Sequence, residues 1–404
     1  MEHHGISKLD LKRRNRMQIL RVIRDKGPIS RVDIASALEI TRAAVTIITN
    51  EMIEEGVLYE VGEAPVTFEK LQKGRRKILI DVNANYKFVL GAVIDENGTS
   101  VGLTNLNNDI LDKNYFEYDE NITDRDIIDF IVKSCGEMMH NSGLDSSRIL
   151  GLGIGIQPLM WSRMKVYFKD GELDFNSFSK QVSDAVGLPV ICANSIGVLA
   201  MANTWNQKQG SATNHIFLSC GMQYNLAVVV DNSIMEGYKY HSNIVEKFIV
   251  NPGGRKLEGY PDGSVKAELT EPVINKKFCE IMSQEATPIL WEFTGGDYSK
   301  VTNKSVALAA SRGDEGVLKA LRDLLEGIGV LINNVSNAYF AGDIILHNFN
   351  MIDWSFEYLK SFLKDLAGEE LAKRVRISEF EGKLEFMGGC TLVILENFYK
   401  RGGL

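Results

Sequence analysis

The sequence predicts an α/β protein in which an N-terminal winged helix-turn-helix precedes a larger two-lobed body. Three observations carry that expectation. Two short amphipathic helices with capping residues occupy residues 28–56. Residues 1–80 hold 15 Lys+Arg against 11 Asp+Glu, whereas the remainder holds 30 against 42, so a positive end sits on a negative chain. From about residue 81, short strands alternate with helices in an order that runs through twice.

The helix-turn-helix begins at Pro28-Ile29-Ser30-Arg31. Ser30 is a candidate N-cap, followed by apolar Val32, Ile34, Ala35 and Leu38. Glu39-Ile40 forms the turn and Thr41 offers the second N-cap. The next helix places Val45, Ile48 and Met52 on one face, and Gly56 is suited to end it in the left-handed conformation. Its opposite face is expected to carry Arg42, Thr46, Thr49 and Asn50, hydrogen-bonding groups that reach base edges and phosphates in a major groove. A merely solvated face would show Glu and Lys, which this one lacks. Val57–Val61 and Lys77–Ile80 then alternate like the two strands of a wing, with Gly74-Arg75-Arg76 at its tip or base. Arg42, Thr46 and Asn50 are thus expected on bases. Ser30, Arg31, Thr41, Arg75 and Arg76 are expected mainly on phosphates, as is the run Lys12-Arg13-Arg14-Asn15-Arg16.

In the body, Phe88–Ile94, Ser100–Leu103 and Tyr115–Tyr118 read as a meander, followed by a helix near 124–139 and the strand Ile149–Ile156. A helix near 175–186 leads to Pro189–Asn194. His215–Leu218, Leu226–Val230 and Ser233–Met235 restart the pattern, which continues through long helices to Asp343–Leu346 and a final helix. The expected domains are 1–80, 81–200 with a C-terminal helix at about 386–404 packing back on it, and 201–385. A cleft between two such lobes is a natural ligand site.

Composition bounds the rest. Of the 404 residues, 45% are hydrophobic and 24% charged, which suits a folded protein of two or three domains. No run approaches the roughly 18 apolar residues needed to span a bilayer, and the polar Met1-Glu2-His3-His4 start is unlike a signal peptide, so a cytoplasmic protein with no membrane partner is expected. The five cysteines are scattered, as for reduced thiols and not for a disulfide framework or zinc site.

The winged helix followed by this double body resembles the ROK family of repressors, open reading frames and kinases. The resemblance is carried by Gly27–Arg31, Glu54-Glu55-Gly56, Gly151-Leu152-Gly153-Ile154-Gly155, Pro189–Asn194 and Phe386-Met387-Gly388-Gly389-Cys390, in that order over nearly the whole chain. It implies an actin-like and hexokinase-like (ribonuclease H-like) body, sugar-type effectors, and dimers or tetramers. Several family motifs are degraded. Family kinases carry Asp directly after the Asn of the fifth strand, and here Ser195 follows Asn194. The first phosphate loop, Asp-Ile-Gly-Gly-Thr in kinases, reads Val93-Ile94-Asp95-Glu96-Asn97, with Asp95 two places from the usual magnesium carboxylate. The second, Gly-Thr-Gly-x-Gly, reads Gly221-Met222-Gln223-Tyr224-Asn225, and a late Gly-Gly-Gly turn is His347-Asn348-Phe349. The zinc module is absent from 251–266, with Lys247 at its His position, and the sugar-binding Glu falls on Ile244. Asn194 is kept, and Gln223, His241, Glu246, Lys247 and Glu268 are further candidate effector contacts.

These readings converge on a DNA-binding transcriptional regulator, a repressor, that is not an enzyme and needs neither cofactor nor metal. Its partners would be a palindromic double-stranded operator with half-sites about 10 base pairs apart or a multiple, a sugar-like effector, and further copies of itself. The effector itself stays open: a modified sugar, a molecule unrelated to sugars, or none. The competing readings are an ATP-dependent sugar kinase with an appended DNA-binding domain and a ligand-independent DNA-binding protein.

Overall fold

A computed structural model describes residues 8–63, 76–169, 172–205, 214–231, 233–235, 237, 239, 241–349 and 354–404. The chain divides into two compact units, residues 1–211 with 382–404, and residues 212–381.

The first unit opens with α1 (Lys8–Lys26), β1 (Ile29–Ser30), α2 (Arg31–Leu38) and α3 (Arg42–Glu54). Both expected caps form: Ser30 accepts from the Asp33 amide and Thr41 from the Ala44 amide. Glu39 ends α2 in the left-handed region at φ 54°, and Gly56 does so after α3 at φ 80°. Ile19, Ile23, Ile34, Val45, Met52 and Val57 are fully buried and join the three helices. β2 (Leu58–Glu63) and β3 (Ile78–Val82) pair antiparallel, with an irregularity between Glu60 and Gly62, and β1 adds to β3. This is the winged helix. The expected wing residues Gly74 and Arg75 lie outside the described residues.

The body of this unit is built on β4 (Phe88–Ile94), β5 (Gly98–Asn105), β6 (Ile110–Glu117), α4 (Asp124–Ser142), β7 (Ile149–Ile156), the hairpin β8 (Tyr167–Lys169) and β9 (Glu172–Asp174), α5 (Asn176–Val186), β10 (Val190–Asn194) and α6 (Ser195–Trp205). The five-stranded sheet has the order β10-β7-β4-β5-β6, antiparallel through the meander and parallel across β4-β7-β10. Strands β4 and β5 are buried along their whole length, which a continuous apolar run signals in β4, whereas β5 buries Thr99, Ser100, Thr104 and Asn105 as well. Residues Phe386–Val393 form a helix that packs on β4 and β7. Glycines set that approach: a Cβ on Gly153 would meet the Gly389 carbonyl oxygen at 2.1 Å, and one on Gly389 would meet that of Gly153 at 2.3 Å.

The second unit repeats the plan. β11 (His215–Ser219), β12 (Asn225–Val230), β13 (Ser233–Ile234), β14 (Asp343–His347) and β15 (Val375–Ile377) form a sheet of order β13-β12-β11-β14-β15. Numbered within each unit, both sheets read 3-2-1-4-5. The helix Glu315–Tyr339 lays a buried stripe of Leu325, Ile328, Leu331, Ile332 and Val335 against this sheet's core. No described helix is long and apolar enough to cross a membrane.

Candidate nucleic-acid interface and effector site

The recognition helix is α3, and its first residue, Arg42, is exposed. Ala43, Thr46 and Asn50 are exposed on the same helix, and Ile47 is 61% exposed. Thr46 donates its hydroxyl to the Arg42 carbonyl at 2.8 Å, leaving lone pairs and a methyl group outward. Arg31 is a positioning residue as much as a phosphate candidate. Its guanidinium donates to Thr49 Oγ1 at 3.1 Å, to Asn50 Oδ1 at 3.1 Å and to Glu60 Oε1 at 3.0 Å, tying α2 and β2 to the middle of α3. Asn50 is thereby held through its Oδ1 while the residue stays exposed. Thr41 is exposed at its cap, and Arg76 is exposed and paired with Glu63 at 2.8 Å.

Three placements differ from the sequence reading. Thr49 is fully buried, because it lies one turn from Val45 and its hydroxyl donates to the Val45 carbonyl at 2.8 Å. Ser30 is 2% exposed and its hydroxyl is committed to the cap and to Asp33 Oδ2 at 2.6 Å. Arg16 is no surface phosphate contact: it is 1% exposed, donates to the Gly402 carbonyl at 2.7 Å, and holds both carboxylate oxygens of Glu55. Periodicity marks a helix face, but a long basic side chain folded inward leaves no trace in it.

In the first unit's body, Asp95 closes the β4–β5 turn, its Oδ1 accepting from the amides of Asn97 at 2.6 Å and Gly98 at 2.7 Å. It is 6% exposed and bonded to the buried Glu385. Burial, and then the Asp95 charge, hold the Glu385 carboxyl well above its ordinary range, so Glu385 keeps the proton and donates it. Burial also raises Asp95, against the pull of its two amides. Asn194 is buried at the end of β10, with Oδ1 accepting from the Ile196 amide, and Ser195 after it is buried at the start of α6.

In the second unit, Glu246 is 1% exposed, and its Oε1 accepts from the Tyr224 amide at 3.2 Å and from Lys266 Nζ at 3.0 Å. Tyr224 is 2% exposed, so the Gly221–Asn225 turn is pinned into the core. Gln223 is partly buried, Met222 exposed, and His241 and Lys247 exposed. In the 251–266 segment Glu268 Oε1 accepts from the Arg255 amide at 2.6 Å and Asn251 Nδ2 at 3.2 Å, and Val250 and Asn251 both donate to the Gly263 carbonyl. A cavity of about 120 Å³ lies beside Gly221, walled mainly by Leu269, Ile274, Phe278, Val306, Leu321 and Phe349. Burial holds the nearby His347 neutral, its pKa brought down to about 3.

Comparison with known proteins meets this geometry. Residues 12–59 match the family described as winged helix-turn-helix DNA-binding. The xylose repressor of Caldicellulosiruptor bescii is 22% identical over 346 residues, covering 84% of each chain. The structure of a ROK family transcriptional regulator, a homologue of the Escherichia coli MLC protein, aligns over 98% of both chains with a TM-score of 0.70 at 18% identity. The chain has the fold of this ROK family protein. A ROK hexokinase from Thermus thermophilus aligns at a TM-score of 0.58 and 14% identity over 76% of this chain and 98% of its own, so it shares the fold of the body and has no counterpart for the remainder. Residues 12–59 are thus a winged helix-turn-helix of the DNA-binding type, joined to a ROK-like body. The residues that sequence reasoning missed in the chain are Ile47, Lys266 and Glu385. Ile47 was visible as an apolar residue off the buried stripe; the other two act through partners 20 or more residues away, which no local pattern marks.

Proposed function

We propose that this chain is a cytoplasmic DNA-binding transcriptional repressor whose body senses a sugar-type molecule and no longer transfers phosphate. The observation that carries the reading is the Tyr224 amide donating to the buried Glu246 carboxylate. A phosphate-binding turn must offer free backbone N–H groups to the ligand. Here one of those amides is spent on a carboxylate that Lys266 neutralises from within the protein. Ser195 has no basic group to take a hydroxyl proton, and the Asp95 carboxylate is occupied by two amides and by Glu385.

The Caldicellulosiruptor relative is named for xylose, which makes pentoses the first effectors to test here. Repression by a homo-oligomer with paired recognition helices fits a palindromic operator. The deciding experiment is fluorescence anisotropy of the full chain on DNA upstream of its own gene and on a random duplex. Selective binding that a pentose, hexose or amino sugar reverses supports the reading; selective binding untouched by any of them removes the sensing role. Measurable ATP turnover with any sugar of that panel would restore a kinase.

A further inference from the structure

We infer that the middle of α3 reads thymine methyl groups, with Ile47 as the principal contact and Ala43 and the Thr46 methyl beside it. The inference rests on the DNA-binding reading and deepens it. Ala43, Thr46 and Ile47 stand at i, i+3 and i+4, so their side chains share one patch of the helix surface. All three are exposed, and Ile47 leaves 61% of its surface in water. On the same helix Val45, Ile48 and Met52 are buried, so Ile47 is surplus to the core.

The polar groups around the patch narrow what it can meet. Thr46 has spent its proton on the Arg42 carbonyl, which presents its methyl group and lone pairs outward. Asn50 Oδ1 already accepts from Arg31, which ties its carbonyl to the protein and leaves its two N–H donors as the readier groups for a base edge. Donors suit the O4 of thymine and the O6 and N7 of guanine. The major-groove edge of thymine pairs such an acceptor with an apolar methyl, and apolar side chains are its complement. Arg42, directly before Ala43 and one turn before Thr46, is placed for a guanine or a phosphate. The half-site expected is therefore one in which thymines lie under the centre of α3.

The test uses the full chain and a duplex selected by it from a random pool. Each thymine of that duplex is replaced singly by uracil, which keeps the base pair and removes only the methyl. Anisotropy is then measured with the wild-type chain, Ile47→Val and Ile47→Ala. The expected result is one or two positions where uracil weakens the wild type about fourfold, the factor for one buried methyl-sized group. Ile47→Ala should lose affinity for the thymine duplex and no longer distinguish uracil there, with Ile47→Val between. A uracil penalty that persists unchanged in Ile47→Ala overturns the inference, as does selective binding with no uracil-sensitive position. Altered oligomer size in Ile47→Ala with an unchanged uracil pattern overturns it too and assigns the patch to a protein contact. A wild-type chain that selects no sequence overturns it together with the DNA-binding reading.

Discussion

Arg42 begins the recognition helix, exposed and one residue past the Thr41 cap. A bidentate contact to guanine from that position is worth about 1–3 kcal/mol of discrimination. Arg42→Ala should therefore cost that much on the operator and little on a random duplex, measured by anisotropy at fixed salt. Equal losses on both would make Arg42 a phosphate contact. Arg16 has a different use, although both arginines look alike in a basic N-terminal sequence. Its guanidinium bridges the C-terminal Gly402 and the Glu55 carboxylate after α3. Arg16→Ala should destabilise the chain by about 1–3 kcal/mol, less than a fully buried pair because Glu55 keeps contact with solvent. The hydrogen bond from Arg16 holds the Glu55 carboxyl below its ordinary range. Its share of stability is present above the unfolded value of about 4.3 and is lost as pH falls through the lower folded value. Glu55→Gln should flatten that acid limb in denaturant titrations; an unchanged limb would mean the pair contributes nothing. The exposed place of Arg42 at the start of α3 was legible from sequence because helix periodicity and the Thr41 cap fix it. The buried place of Arg16 was not, because its partners lie 39 and 386 residues away.

At the scale of elements, most of the architecture could be read in advance. The strands Phe88–Ile94 and Ile149–Ile156 fall where apolar runs put them, and α5 starts within a residue of its expected position. The short strands β8, β9 and β15 escaped notice, since three residues are too few for a periodic signal. The glycines of Gly151–Gly155 and Gly388-Gly389 illustrate a subtler limit. Their spacing suggested family membership, whereas the structure supplies a steric reason: helix backbone lies directly on strand backbone there. Gly389→Ala would drive a Cβ to 2.3 Å from the Gly153 oxygen and to 2.7 Å from the Ala92 amide nitrogen. Neither backbone atom can retreat, so a loss of about 3 kcal/mol or more is expected in urea unfolding. A shift below about 1 kcal/mol would show that the helix slides freely. The β4–β5 turn carries an opposite pH signature to Glu55. Glu385 has a raised pKa, so its cost to stability is absent below the unfolded value of about 4.3 and grows as pH rises toward the folded value. Glu385→Gln keeps a donor for Asp95 without a titrating proton. It should stabilise the chain near pH 7 by roughly 1–3 kcal/mol, an advantage that fades toward pH 4. Greater stability at pH 4 than at pH 7, relative to wild type, would contradict this.

For the whole molecule, charge and topology tell a consistent story. Two sheets of identical strand order make up the body, a duplication that the repeated strand–helix pattern already signalled. What a repeated pattern could not supply was the wiring of its turns, such as Glu246 with Tyr224 and Lys266. The chain as a whole carries a net charge of −8 and should on balance be repelled by DNA. The +4 carried by residues 1–80 must then provide the attraction locally, over distances comparable to the Debye length of about 8–10 Å. At low salt the acidic remainder opposes binding from farther away, and added salt screens that repulsion as well as the attraction. Counterion release still dominates at contact, with a slope of about −0.9 in log K against log salt for each phosphate neutralised. In the proposed dimer, two heads with two or more phosphate contacts each imply a slope near −4 or steeper between 50 and 200 mM salt. A slope near zero with sequence selectivity intact would place the affinity in neutral base contacts and deny the basic N-terminus its part in DNA binding.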